Sequence, residues 1–181
     1  MYKRLTLLGA FLGVLLASSA ALYAQASPTA TRLISAQVGI GFTDANPDFE
    51  YNNVQGMTVY GTLEIGRHLG VEGEFHDLTF RTPSGVGERS YLLGARYTQP
   101  IKRFRPYVRG SGGLGSSYFH EPYYPRNSTS LIYAIGFGSD FRVSQHINVR
   151  LFDAEFQRWH TFDPNGLNPS LYTVGVAYRF P

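Results

Sequence analysis

Residues 170–181 read SLYTVGVAYRFP, and the two faces of this stretch differ sharply. Aromatic and β-branched residues alternate with small or cationic ones in period two, which is the pattern of a β-strand. One face carries Tyr172, Val174, Val176, Tyr178 and Phe180, and the other carries Leu171, Thr173, Gly175, Ala177 and Arg179. The stretch therefore predicts a strand with one apolar face and one small or polar face.

The same alternation recurs along the chain in segments of about ten residues, and no useful helical period follows residue 27. We predict eight strands, at 32–42, 56–66, 70–79, 89–98, 106–116, 131–142, 147–158 and 170–180. The connections alternate strictly between long (43–55, 80–88, 117–130 and 160–170) and short (67–69, 99–105 and 143–146). Such alternation is typical of an antiparallel up-and-down barrel with a long-loop end and a short-turn end in different compartments.

The N-terminus predicts a secretory signal peptide. Lys3 and Arg4 precede an apolar stretch, Leu5 to Leu16, and AQA at 24–26 is a small-x-small cleavage pattern. A membrane-spanning helix is the alternative, but it needs about 20 apolar residues. The second half of this segment is mostly Ala and Ser. We therefore predict a signal peptide at 1–26 and one barrel domain at 27–181.

Charge and cysteine content exclude several classes of protein. The signal peptide takes two of the 16 basic residues and none of the 13 acidic ones, which leaves 14 basic residues and a formal charge of +1. No basic stripe for nucleic acid remains. The absence of cysteine excludes a disulfide scaffold and a lipid-modified N-terminal Cys.

Three features predict that the apolar face meets lipid. The segments have the roughly 9–11 residues of a tilted transmembrane strand. The other face carries charges of both signs. Aromatic residues lie toward strand ends, as interfacial girdles require; they are Phe42, Tyr97, Phe104, Phe141, Trp159, Tyr172, Tyr178 and Phe180. A soluble, lipocalin-like barrel with the apolar face inside is the alternative.

The charged face then points into the barrel. Eight strands leave only enough room for side chains to fill, and an unpaired buried ion costs several kcal/mol. We therefore predict a closed, salt-bridged lumen without a metal, formed by Glu64, Glu72, Glu74, Arg96, Arg109, Asp140, Arg142, Asp153, Glu155 and Arg179. Arg150 falls on the opposite face from Asp153, so we predict a bulge near Leu151, or else a place for Arg150 at the short-turn rim.

With these features the chain resembles the small OmpA-like or OmpW-like eight-stranded outer-membrane barrels of Gram-negative bacteria. The signal peptide, the loop alternation, RPYVRGSGGLG at 105–115 and the ending at 172–180 carry the resemblance. It implies integral outer-membrane localisation. It also implies that Tyr172, Val174, Val176, Tyr178 and Phe180 form the insertion signal that the barrel-assembly machinery recognises. Pro181 departs from the pattern, since typical members end on the aromatic residue. No periplasmic peptidoglycan-binding domain follows the predicted barrel.

Two motifs suggest other chemistry. GSGGLG at 110–115 matches G-x-G-x-x-G, but no helix follows it, so we predict a barrel strand and no cofactor. Glu72, Glu74 and His76 share a face and could hold a metal or act as acid and base. Ion pairs with Arg96 or Arg109 are the simpler interpretation.

An enzyme is not predicted. Some barrels of this kind modify lipid A with a Ser/His/acid set, but no His-x-Ser pair occurs in this chain. Ser117, His120 and Glu121 would make a triad only if the third long loop happened to bring them together.

The predicted function is therefore a structural or interaction role in the outer membrane, as a monomer. The alternatives are a narrow channel, a lateral route for small apolar compounds and, last, a lipid A–modifying enzyme. Expected partners are outer-membrane lipids and lipopolysaccharide, the assembly machinery and an extracellular ligand. The loop aromatics Tyr118, Phe119, Tyr123 and Tyr124 either extend the girdle or form a contact surface.

Overall fold

The period-two segments form eight antiparallel strands in the computed structural model, which describes residues 34–48, 52–82, 86–119, 128–160 and 166–181. The strands are β1 (Ile34–Asn46), β2 (Val54–Ile65), β3 (Leu69–Arg81), β4 (Val86–Thr98), β5 (Phe104–Phe119), β6 (Ser128–Arg142), β7 (Ile147–Trp159) and β8 (Ser170–Arg179). None of the residues described is in a helix long and apolar enough to cross a membrane.

The sheet closes on itself. Each strand pairs with the next, and β8 pairs with β1 through contacts such as Gly41↔Gly175. Closure leaves no strand edge with unpaired backbone groups, which a lipid environment requires. The predicted fold class, an all-β eight-stranded antiparallel barrel, is confirmed. The predicted signal peptide at 1–26 lies outside the described residues and stays a prediction, as does the domain boundary.

Most strands extend further toward the long-loop end than the sequence pattern predicts. β1 continues to Asn46 instead of residue 42, β5 to Phe119 instead of 116, and β6 begins at Ser128 instead of 131. The apolar alternation marks only the part of a strand that contacts lipid, whereas the backbone ladder continues through polar residues beyond it. The long loops are correspondingly shorter than predicted.

The barrel is apolar outside and polar inside. Large apolar residues such as Leu93, Ile135 and Val174 are exposed on the outer wall, while the buried interior positions are mostly polar or charged. Two small apolar clusters lie inside, toward the long-loop end: Leu92, Ile132, Ala134, Trp159 and Leu167 form one, and Ala45, Val54, Leu78 and Leu171 form the other. This arrangement is the reverse of a soluble calyx.

The place predicted for Trp159 in the outer aromatic girdle is wrong. Period two places Trp159 on the inward face of β7 with Glu155 and Gln157, and it is only 1% exposed. Its indole Nε1–H donates to Gln157 Oε1 over 2.7 Å. Phe141, another predicted member, is half-buried.

The predicted bulge in β7 is confirmed. Leu151 and Phe152 both face outward, and together they oppose Val174 of β8, because the register shifts between Arg150 and Asp153. Two residues against one is the definition of a β-bulge. The extra residue returns Arg150 to the interior face, so the alternative place at the short-turn rim is excluded.

Candidate functional site

Glu72 lies at the centre of the charged interior. Its carboxylate accepts hydrogen bonds from Arg109 Nη1 at 3.0 Å, from Arg150 Nη2 at 3.0 Å and from Arg96 Nη1. Thr62 Oγ1 donates to the same carboxylate at 2.5 Å. A buried carboxylate with this many charge-assisted donors is fixed in place.

Arg109 links strand β3 to strand β7. Its Nη1 lies 2.9 Å from Glu74 Oε1 and 2.5 Å from Asp153 Oδ2, and its Nη2 lies 2.7 Å from Glu155 Oε2. Gly136 on β6 provides the space, since a Cβ there would lie 2.8 Å from Arg109 Nε. Carboxylates from two strands therefore bind the guanidinium, and a glycine on a third strand leaves space for it.

Arg150, like Arg109, has four carboxylate partners. Its guanidinium nitrogens lie within 4.0 Å of four carboxylates, those of Glu72, Glu74, Asp140 and Asp153. Asp140 also pairs with Arg96 at 2.5 Å. Throughout these central ion pairs each side chain is at most 3% exposed. The network therefore fills the middle of the barrel.

Two tyrosines that sequence analysis did not identify belong to the network. Arg150 stacks on the ring of Tyr60 at 3.6 Å, and Arg96 stacks on the ring of Tyr107 at 3.6 Å. The Tyr107 hydroxyl donates to Asp153. Their inward position could have been predicted, because period two places Tyr60 on the face of Thr62 and Tyr107 on the face of Arg109.

Three predicted members lie at the short-turn end, apart from this centre. Glu64 pairs with Arg105, a residue that sequence analysis did not include. Arg179 Nε donates to Ser35 Oγ at 2.7 Å. Arg142 makes no ion pair within 4.0 Å to any carboxylate of the described residues. The structure therefore brings together seven of the ten predicted residues: Glu72, Glu74, Arg96, Arg109, Asp140, Asp153 and Glu155.

The central charges come from one side of the barrel. Strands β3 to β7 supply them, whereas the middle interior positions of β1 and β8 are glycine, alanine and threonine. Gly39 allows close approach of Tyr60, because a Cβ there would lie 2.3 Å from the ring carbon Cζ. The glycine-rich wall leaves room for side chains that reach across from the charged strands.

A row of hydroxyl groups joins this wall to His76. Thr173 Oγ1 lies 2.8 Å from Thr43 Oγ1, which lies 2.5 Å from Thr58 Oγ1, which lies 2.7 Å from His76 Nδ1. Beside it, buried Glu74, His76 and Glu155 each bring one ligand-type atom within 4.8 Å of the other two. Glu72, Glu74 and Asp153 form a second such group.

Only one member of the candidate triad lies among the described residues. Ser117 is buried inside the barrel, and its Oγ has no hydrogen-bond partner in the described part of the chain. His120 and Glu121 lie outside that part. The loop aromatics Tyr123 and Tyr124 lie outside it too, and the side chains of Tyr118 and Phe119 are likewise not described.

The predicted insertion signal lies on the outer wall. Its five side chains share the outward face of the last strand and the residue after it, and they are 44% to 52% exposed: Tyr172, Val174, Val176, Tyr178 and Phe180. The backbone N–H of Phe180 donates to the carbonyl of Ala36 at 2.9 Å, so the pairing with the β1 side of the barrel continues past Arg179.

The outer membrane protein beta-barrel domain family matches residues 10–180 of this chain. The chain therefore belongs to this family and is an integral protein of the bacterial outer membrane. The resemblance to small eight-stranded outer-membrane barrels is confirmed. No curated protein matches the chain in sequence.

Solved structures show the same fold at low sequence identity. Neisserial surface protein A superposes with a TM-score of 0.64 at 13% identity, over 81% of this chain and 97% of the other. Ail of Yersinia pestis gives a TM-score of 0.54 at 18% identity, with coverage of 81% and 97%. OprG of Pseudomonas aeruginosa gives 0.53 at 12%, with coverage of 81% and 95%. These likenesses support the architecture alone.

Proposed function

We propose that this protein is a sealed outer-membrane barrel with a structural or interaction role, acting through its loops and its lipid-facing wall and not through a pore or an active site. The ion-pair network across the middle of the barrel carries this proposal. Arg96, Arg109 and Arg150 are each fixed by at least two buried carboxylates. A path past them would leave buried charges without partners, at a cost of several kcal/mol each.

Conductance in planar lipid bilayers tests the sealed interior. We expect the wild-type barrel to give no reproducible openings. Arg109→Ala, which removes a cation shared by carboxylates on β3 and β7, should give measurable openings once gel mobility shows that it is folded. Arg89→Ala, which alters a part-exposed pair with Asp77 near the long-loop end, is the matched control and should stay closed. Reproducible wild-type channels would refute the proposal.

The interaction role rests on the sequence of the third long loop, where Tyr123 and Tyr124 lie. Exposed apolar groups tend to mark contact surfaces. Ail is named as an attachment invasion locus protein, so one barrel of this architecture has a name that describes attachment. Cells carrying Y123S/Y124S should adhere less to an apolar surface than wild-type cells, at equal barrel content. Equal adhesion of the two kinds of cell would show that the two tyrosines do not form a contact surface.

The outward residues of the last strand are proposed to be the signal for the barrel-assembly machinery. Phe180→Ala should lower the amount of barrel in the outer membrane of cells, while refolding into detergent in vitro is unchanged. Phe104→Ala, another exposed aromatic at the short-turn end, is the control. Equal loss for both variants would indicate a girdle effect and not a signal.

A lateral route for small apolar compounds is a second candidate, and one observation favours it. A groove of about 730 Å³ runs along the outer wall beside the β7 bulge, lined by residues that include Phe42, Met57, Leu151 and Val174. Filling it by Val174→Trp should reduce uptake of a small apolar dye by cells if the groove is a route. Unchanged uptake would assign the groove to lipid packing.

A further inference from the structure

We propose that Glu74, His76 and Glu155 form a buried binding site for one divalent transition-metal ion of the zinc class. The three residues come from β3 and β7, and each is buried inside the barrel. One imidazole and two carboxylates are donors that suit zinc and its neighbours in the first transition row. The site shares Glu74 and Glu155 with the ion-pair network that supports the sealed interior, but it does not involve the loops or the outer wall.

Unused ligand atoms support the site. His76 Nε2 and Glu74 Oε2 are both buried without a hydrogen-bond partner in the described part of the chain. Among the described residues eleven buried side-chain atoms lack a partner, and these two belong to residues of the same group of possible ligands. Arg109 occupies only one oxygen of each carboxylate, Oε1 of Glu74 and Oε2 of Glu155.

The distance between His76 and Glu155 suits two ligands of one cation. His76 Nε2 lies 3.5 Å from Glu155 Oε1. Ligands bound about 2.0–2.2 Å from one tetrahedral ion are about 3.3–3.5 Å apart from each other. Gln157 Nε2 donates to the same Glu155 oxygen at 2.7 Å, which orients the carboxylate toward His76.

The surroundings of His76 also match those of a metal ligand. Ligating histidines almost always donate the other ring N–H to an acceptor, which fixes the tautomer. His76 Nδ1 lies 2.7 Å from Thr58 Oγ1, and Thr43 and Thr173 continue the row of hydroxyls. With Nδ1–H as the donor, the Nε2 lone pair faces the two carboxylates.

The net charge of the network is compatible with the binding of a divalent cation. Its ion pairs join five carboxylates to three guanidinium groups, so with every carboxylate ionised the network carries two more negative charges than positive ones. One divalent ion would neutralise both at once. Two protons are the competing possibility, and a metal-binding measurement distinguishes them.

Zinc content of the refolded barrel tests the proposal. The chain is refolded in detergent with zinc present, because the three ligands are buried inside the closed barrel. Excess metal is then removed by gel filtration. We expect about one zinc per barrel by mass spectrometry. With cobalt(II), visible absorption bands of tetrahedral coordination should appear.

Three variants make the test specific. His76→Asn keeps a polar group near Thr58 but removes the Nε2 ligand, and it should reduce bound zinc to background; Glu155→Gln should do the same. His68→Asn makes the identical change at a histidine stacked on Tyr97, outside the network, and should bind as wild type does. Gel mobility identifies folded barrels. A folded wild-type barrel without zinc, or a folded H76N variant that binds zinc equally, would overturn the site.

Discussion

Replacing Arg150 with methionine should destabilise the barrel by about 3 kcal/mol. The change removes the charge and keeps most of the side-chain length. Four carboxylates then lose a partner: Glu72, Glu74, Asp140 and Asp153. Breaking a buried pair costs about 3–5 kcal/mol because it leaves a buried charge uncompensated. Each of the four keeps at least one other guanidinium partner, so we expect the lower end of that range.

Equilibrium urea unfolding in detergent measures this loss. Trp159 is the only tryptophan in the chain and is buried inside the barrel, so its fluorescence reports unfolding. Arg89→Met is the matched control. Arg89 pairs with Asp77 at 3.0 Å, but the two side chains are 39% and 19% exposed. A pair of that kind contributes about 0–1 kcal/mol.

A double variant tests the physical reason. If the cost of R150M comes from stranded carboxylates, adding Glu72→Gln removes one of them and should recover part of the loss. Residues in one network typically couple by about 0.5–3 kcal/mol. A loss for R150M no larger than that for R89M, or costs that add with no coupling to E72Q, would refute the assignment of Arg150 to the centre of the network.

Two further substitutions test neighbouring parts of the interior by the same unfolding assay. Tyr107→Phe removes the hydroxyl that donates to Asp153 and should cost about 1.5–3 kcal/mol, the value for a hydrogen bond to a charged group; a neutral effect would contradict that bond. Gly136→Ala pushes a methyl group against Arg109 and should cost about 1–3 kcal/mol, whereas Gly110→Ala, with no atom within 4 Å of the new Cβ, should cost little. Equal effects of the two alanines would refute the close approach.

The number of strands, their order and their faces follow from the sequence because lipid outside and charge inside impose strict alternation. The C-terminal stretch illustrates this, since Val174 and Val176 face outward while Thr173 and Ala177 face inward. Strand ends could not be predicted as well. Beyond the lipid the outer face is solvated, so polar residues such as Asn46 continue the ladder there without the apolar half of the alternation.

The composition of the network could be predicted only in part. A single extra residue at Leu151 inverts every later position of β7, so Arg150 could be assigned to the interior only once that bulge was accepted. Ion pairs of Glu72 and Glu74 with Arg96 or Arg109 could be expected from their shared face, but the pairs with β7 could not. Arg109 meets Glu155 across a sequence separation of 46, and the closure of the barrel sets that distance, not any local pattern.

The glycine-rich wall formed by the middle of β1 and β8 has a consequence for the order of assembly. These strands are the first and the last of the barrel, and pairs such as Asp44↔Tyr172 join distant parts of the chain. Contacts between residues so far apart in the sequence form late and slowly. Since the central ions belong to β3 through β7, consecutive hairpins can gather them before the seam forms. In the middle of the barrel the final closure then brings together glycine, alanine and threonine, and no ion of the central network has to be dehydrated at the slowest step.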